Sequence, residues 1–217
     1  ILGIAGIDGN GQSELVEVLT GLRKAESGSI KVNSKELINK KPKEIFDNGI
    51  KNIPEDRHKR GLILDFTVAE NTVLQNYKDP RFSKNGILNK DAIEKYADEI
   101  IERFDVRPTD HTVKSRALSG GNQQKIIIGK WLERSPDVFL MDEPTRGIDI
   151  MAKYQIYELM ISFASKGKSI IMVSSEMPEI LGITNRIVVM SNYRVAGVVD
   201  TKSTTQEELM HLCTKYL

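Results

Sequence analysis

Eight residues near the start of the chain, Gly6-Ile7-Asp8-Gly9-Asn10-Gly11-Gln12-Ser13, constrain the fold more than any other stretch. Before them, Ile1-Leu2-Gly3-Ile4-Ala5 is short and apolar and reads as a buried strand. After them, Leu15, Val16, Val18, Leu19 and Leu22 form a helical stripe over 13–22, with Gly21 near its end. Strand, glycine loop and helix in that order let successive backbone N–H groups point inward, and the helix N-terminus adds positive potential: the spacing of a phosphate-binding loop. Ser13 sits where a hydroxyl would ligate Mg²⁺, but Gln12 stands where such loops carry lysine. A plain strand-to-helix turn accounts for the same pattern, and the missing lysine favours that reading, so the loop alone does not establish ATP.

The rest of the chain alternates. Short strands are expected at 28–32, 50–53, 138–141, 169–173 and 186–190, and helices at 91–104, 151–164 and 179–181. From Val68 to about Arg134 the pattern is helical, with Ile93, Ala97, Ile100 and Phe104 on one face. This predicts an α/β fold with a mainly parallel sheet and covered faces. The simplest division is one domain, with 1–65 and 136–217 as core and about 66–135 as an inserted helical subdomain. The chain opens directly in a strand, as if cut from something longer.

The balance of 31 basic and 30 acidic residues gives no net electrostatic reason to expect nucleic acid. The run Arg57-His58-Lys59-Arg60 reads as a solvated loop first and a phosphate or partner contact second. Cys213, the only cysteine, excludes an intrachain disulfide and suits a reducing compartment, as a packed or idle thiol. No apolar run reaches the ~18 residues of a membrane span. The expected location is cytosolic, or on a membrane through another protein. His58, His111 and His211 lack metal-ligand spacing, Trp131 reads as core, and 191–194 as a turn.

Two further motifs carry chemistry. Val138 to Met141 is an apolar strand ending in Asp142-Glu143. There Asp142 would hold a metal and Glu143 would polarise an attacking water. A strand running into a solvated acidic loop is the bland alternative. Upstream, Leu118-Ser119-Gly120-Gly121-Asn122-Gln123-Gln124-Lys125 precedes a helical stretch, with Ser119 as N-cap and two glycines leaving amides open to an anion.

This last stretch resembles the signature sequence of ATP-binding-cassette ATPases, in that family's order and spacing relative to the other two motifs. The resemblance covers essentially the whole chain and implies a P-loop NTPase core lacking the family's first N-terminal strands. It implies ATP and Mg²⁺ as cofactors, with Gly6, Asp8, Gly9, Asn10, Gly11, Gln12 and Ser13 cradling phosphate. Ser13 and Asp142 would hold the metal, and Glu143 would activate water. Two cassettes would face each other, so that Ser119, Gly120 and Gly121 touch the γ-phosphate on the partner while Gly147-Ile148-Asp149 crosses the interface.

Three positions depart from the family pattern: Gln12 for lysine, Glu55 for the glutamine after an early strand, and Ser175 for the switch histidine. A neutral amide forgoes a charge-assisted bond worth about 1.5–3 kcal/mol. These departures resemble the second cassette of tandem importer ATPases for ribose, xylose and galactose, with a sister group for nucleosides. The stretch 141–209 is most similar to galactose or methyl-galactoside importers and 57–75 to the nucleoside group; the sugar is preferred. The resemblance implies a second cassette on the same polypeptide, membrane permease subunits and, indirectly, a periplasmic or extracellular substrate-binding protein. It also implies a peripheral place on the cytoplasmic side of the membrane. A non-hydrolysing regulatory module is the alternative from another class.

Overall fold

The structure is a computed structural model and describes residues 1–132 and 136–217. Its strands are β1 (Leu2–Ala5), β2 (Lys31–Val32), β3 (Lys35–Glu36), β4 (Ile50–Ile53), β5 (Ser83–Lys84), β6 (Ile87–Leu88), β7 (Val138–Asp142), β8 (Ser169–Val173), β9 (Arg186–Ser191) and β10 (Arg194–Asp200). Its helices are α1 (Gln12–Leu19), α2 (Pro42–Asp47), α3 (Val68–Val73), α4 (Lys90–Arg103), α5 (Gly120–Leu132), α6 (Ile150–Ser165), α7 (Met177–Ile183) and α8 (Gln206–Cys213). The last part of the helical stretch expected to run to about Arg134, at 133–135, lies outside the described residues.

Two compact units emerge. The first comprises Ile1–Glu55, Pro136–Pro144 and Tyr157–Leu217, and the second takes the other described residues, including Thr145–Ile156. The second unit therefore starts at Asp56, not near 66. The cause is local: the turn Arg57–Gly61 is bonded to α5 through Arg57 and through Gly61 O.

The first unit is built on a six-stranded sheet of order β10-β9-β1-β8-β7-β4, parallel except for the β9–β10 pair. This is the mainly parallel α/β sheet the alternation predicts. Strand β1 is central, paired with β8 on one side and β9 on the other. Its apolar residues pack both ways: Ile4 with Val16, Leu140, Val173 and Met190, and Ala5 with Ile180, Ile187, Val189 and Leu209. Cys213 lies buried in the second of these clusters, and burial pushes its thiol pKa up, which suits the idle role.

Three local expectations shift. The stripe to Leu22 stops at Leu19, because Thr20 bonds back to Val16 O and Gly21 takes a left-handed φ of 75°. The 28–32 strand contracts to β2, since the Glu36 carboxylate takes the Ile30 N–H. Strand β10 is visible only in the structure. It is an edge strand with a bulge between Val195 and Gly197, so its exposed Val195 and Val198 break the alternation.

The second unit is mainly helical, with the small β5–β6 hairpin added. Thr67 and Glu70 form a capping box that starts α3. Gly129 lets α4 come close to α5: a Cβ there would lie 2.8 Å from Ile100 and 2.9 Å from Phe104. Ile126, Ile127 and Ile128 are fully buried, and Trp131 is buried as expected.

Candidate functional site

Parallel strands deliver their carboxyl ends to one edge of the sheet, and ligands of open α/β sheets bind there. In the first unit, Ile4 of β1 pairs with Val173 of β8, and Val173 pairs with Asp142 of β7. The residues that follow, Gly6 to Ser13, Ser174-Ser175 and Glu143, therefore gather at one edge.

The loop after β1 has the shape of an anion cradle. Gly9 and Gly11 have φ of 86° and 103°, values that favour glycine, and Gly11 caps α1. Among the described residues, the N–H groups of Gly9, Gly11, Gln12 and Ser13 meet no protein acceptor. Unmet amides at a helix N-terminus fit a phosphate chain. Ser13 is exposed, as a metal-ligating hydroxyl must be. Beside the loop lies a cavity of about 460 Å³, bordered by Gly6, Asp8, Ser175 and Met177, within the range of ligand sites.

Two side chains of the loop turn away from that cradle. Asn10 is 3% exposed. Its Nδ2 donates to Cys213 O at 3.0 Å and Met190 O at 3.4 Å, while its Oδ1 accepts from Asn192 N at 3.0 Å. Its N–H is spent on Ile7 O and its carbonyl on Tyr193 N. The Asn10 side chain is thus an anchor, and it fastens the β9–β10 turn, where Asn192 and Tyr193 both carry positive φ. Gln12 folds back over Gly6 and donates to Ile7 O at 3.1 Å. A Cβ on Gly6 would collide with that amide at 2.3 Å.

The acidic pair follows β7. Asp142 is buried at the strand end, and Glu143 adopts a φ of 46°. A non-glycine residue there costs of order 1–3 kcal/mol, strain that gathers at functional positions. The Glu143 Oε1 accepts the Ser175 N–H at 2.6 Å, a charge-assisted bond, and the Glu143 N–H donates to Val173 O. Ser175 thus holds Glu143 through its backbone. Glu55 is exposed, at the end of the first segment of this unit.

The second unit carries the other glycine turn. Ser119 is exposed and caps α5: its Oγ accepts from Asn122 Nδ2 at 2.9 Å and from Asn122 N at 3.4 Å. The N–H groups of Gly120 and Gly121 meet no protein acceptor among the described residues. Gly121 is buried, and a Cβ on it would sit 2.6 Å from Ala152 Cβ. Asp149 caps α6, its Oδ1 accepting from Ala152 N at 2.9 Å. The run at 57–60 is more than a solvated loop. The Arg57 guanidinium donates to Arg146 O at 2.9 Å, Gly147 O at 3.4 Å and Gln123 Oε1 at 3.3 Å. Among the described residues no group of three metal-type ligands occurs.

A family model described as "ABC transporter" matches residues 1–146. The chain belongs to the ABC transporter family. Among its relatives, the galactose/methyl galactoside import ATP-binding protein of Treponema denticola is 54% identical over 217 residues, all of this chain and 43% of the relative. The nucleoside import ATP-binding protein of Lactococcus lactis is 44% identical over 209 residues, 96% of this chain and 41% of the relative. The chain thus spans less than half the length of these relatives. A crystal structure of a nucleotide-free ATP-binding cassette from an ABC transporter superposes with a TM-score of 0.79 at 23% identity, covering 98% of this chain and 83% of that one. The fold is that of an ABC cassette, with the parallel sheet and glycine loop of P-loop NTPases.

Proposed function

We propose that this chain is one nucleotide-binding cassette, the second of two on a longer polypeptide, in an ATPase that drives import of a galactose-type sugar. Likeness over all of this chain to part of a galactose/methyl galactoside import protein supports the sugar, and coverage of 43% of that relative's length leaves room for a first cassette. The observation that carries the mechanism is the pair of amide sets that meet no protein acceptor among the described residues, at Gly9 and Gly11–Ser13 and at Gly120–Gly121, each in its own unit.

In this reading the loop amides hold ATP phosphates, and Ser13 with Asp142 holds Mg²⁺, which would neutralise charge on the phosphate oxygens. Glu143, fixed by the Ser175 N–H, orients and polarises the attacking water. Without the lysine charge at Gln12 and with serine at 175, this chain's own site turns over slowly. Ser119, Gly120 and Gly121 serve the nucleotide on the first cassette, and Asp149 lies in the loop at that interface. Membrane permease subunits and, through them, an external substrate-binding protein complete the transporter. No described helix is long and apolar enough to cross a membrane. In this reading the cassette is held peripherally on the cytoplasmic face by the permease subunits.

The test is Ser119→Asp in the full-length protein. Aspartate keeps the N-cap, so folding is spared, but it sets a carboxylate where the reading puts a phosphate. ATPase should fall by at least about a hundredfold, the scale of removing a transition-state anion contact. An undiminished rate ends the proposal. The likeness at 44% to a nucleoside importer favours a second cargo, separable by uptake of labelled galactose against labelled nucleoside. A non-hydrolysing regulatory role is excluded by any transport-coupled turnover lost on Glu143→Gln.

A further inference from the structure

Arg57 begins a single wide helical turn, Arg57–Gly61, started by Asp56, whose carboxylate accepts the N–H groups of His58 and Lys59 at 3.0 Å. Its guanidinium faces three acceptors from two separate pieces of chain: the carbonyls of Arg146 and Gly147, and Gln123 Oε1 on α5. Gln123 is itself fixed, its Nε2 donating to Ser115 O at 3.0 Å and its Oε1 lying 3.0 Å from His58 Nε2. The guanidinium also lies against the glycine turn. A Cβ on Gly120 would be 2.9 Å from Arg57 Nη2 and 3.2 Å from Gly147 O. No carboxylate pairs with Arg57 among the described residues, so its donors are spent on backbone and amide oxygens.

We infer that Arg57 is a positioning residue: it holds the Ser119–Gly121 turn and the 145–149 loop as one block. Three acceptors in different directions require a planar fork, and a lysine ammonium cannot reproduce its spread of donors. Gly120 is a glycine because the fork lies against it; a side chain there would displace Arg57 and loosen both segments together. This inference rests on the reading that the turn completes the partner cassette's site. Under that reading the block must meet a nucleotide with both segments in register, since small misplacement of positioned groups costs rate steeply.

The experiment uses the full-length protein with Arg57→Lys and Arg57→Ala, comparing kcat, KM for ATP and hydrogen exchange. Both variants should lower kcat by about tenfold or more with KM changed by less than about threefold, the pattern of a contact made in the transition state. In Arg57→Lys, exchange should quicken at 119–123 and 145–149 together while other segments stay protected. A role in folding alone would instead quicken exchange across the whole unit, which would overturn the inference, as would a kcat within about twofold of wild type. Ser119→Asp separates the two failures. If it spares the rate, the reading of the turn is wrong. If it abolishes the rate while Arg57→Lys does not lower it, only the inference about Arg57 falls.

Discussion

The two glycine turns of this cassette expose amides that meet no protein acceptor among the described residues, and they do so by opposite means. The phosphate loop is held by its own side chains: Asn10 reaches out to the β9–β10 turn and the end of α8, and Gln12 closes back onto Ile7 O. The Ser119–Gly121 turn contributes little beyond its own cap and is gripped from outside, by Arg57 against Gly120 and by Ala152 against Gly121. One is anchored by neutral amides and the other by a neighbouring segment, 57–61, that is tied to α5 by cations at both ends. The difference teaches that a shared chemical task, exposing N–H groups, leaves each loop free to be supported by whatever its unit supplies. It also makes the two regions respond differently to pH and to substitution.

The largest expected contrast is in pH. Lys130 sits on α5, buried, donating to Gly61 O at 2.5 Å, and burial lowers its pKa to about 8. Below pH 8 it is charged in both folded and unfolded chains, and the folded state bears the full cost of burying that charge. Above pH 8 the folded chain loses the proton while the unfolded chain keeps it to near 10, so stability rises across that window. The gain is roughly 2–3 kcal/mol. Urea unfolding of wild type and Lys130→Met, followed by Trp131 as the only tryptophan, should show the rise in wild type alone. Identical pH dependence in the two would mean that the charge is relieved in some other way. The phosphate loop, held by Asn10 and Gln12, has no matching titration in its anchors.

Next in size is Asn10→Asp. The carboxylate still accepts from Asn192 N but cannot donate to Cys213 O or Met190 O, leaving a charge facing two carbonyls. The expected loss is about 2 kcal/mol of stability, with nucleotide affinity weakened several-fold as the loop shifts. Titration with a fluorescent ATP analogue checks it, and full affinity would show that the loop keeps its shape without the anchor.

What could be read in advance follows from how far apart the partners lie. The glycine loop, the acidic pair after β7 and the Ser119–Gly121 turn are local patterns, so residue types and spacing revealed them. The alternation of apolar runs likewise exposed the parallel sheet, because each strand is buried on its own account. Arg57 was hidden in a charged run because its partners lie 66, 89 and 90 residues away. The anchoring role of the Asn10 side chain was hidden in the same way, because its partners lie 180 or more residues away. Its neighbours in the loop do present amides, and nothing local distinguishes a side chain that points to the core. The only available clue was the small polar cluster at Ser191-Asn192, which signalled a turn but not what the turn holds.

The smallest expected effect, Gln12→Lys, bears most directly on why the two regions differ. Gln12 gives the loop an internal strap, one neutral bond to Ile7 O, and withholds a charge from whatever the amides bind. Lysine would exchange that strap for a mobile cation. If the loop needs the strap, the variant loosens and nucleotide binding is unchanged or weaker. If Asn10 alone is sufficient to hold the loop, the new charge adds a bond to phosphate and binding tightens by about tenfold, near 1.4 kcal/mol. The three side-chain bonds of Asn10 against the single one of Gln12 favour the second outcome. Titration of wild type and variant with labelled ATP at low salt, where a charge is least screened, decides it. Unchanged or weaker affinity would show that the loop needs its strap, and would move the proposed cause of slow turnover from Gln12 to Ser175, whose side chain cannot carry a positive charge.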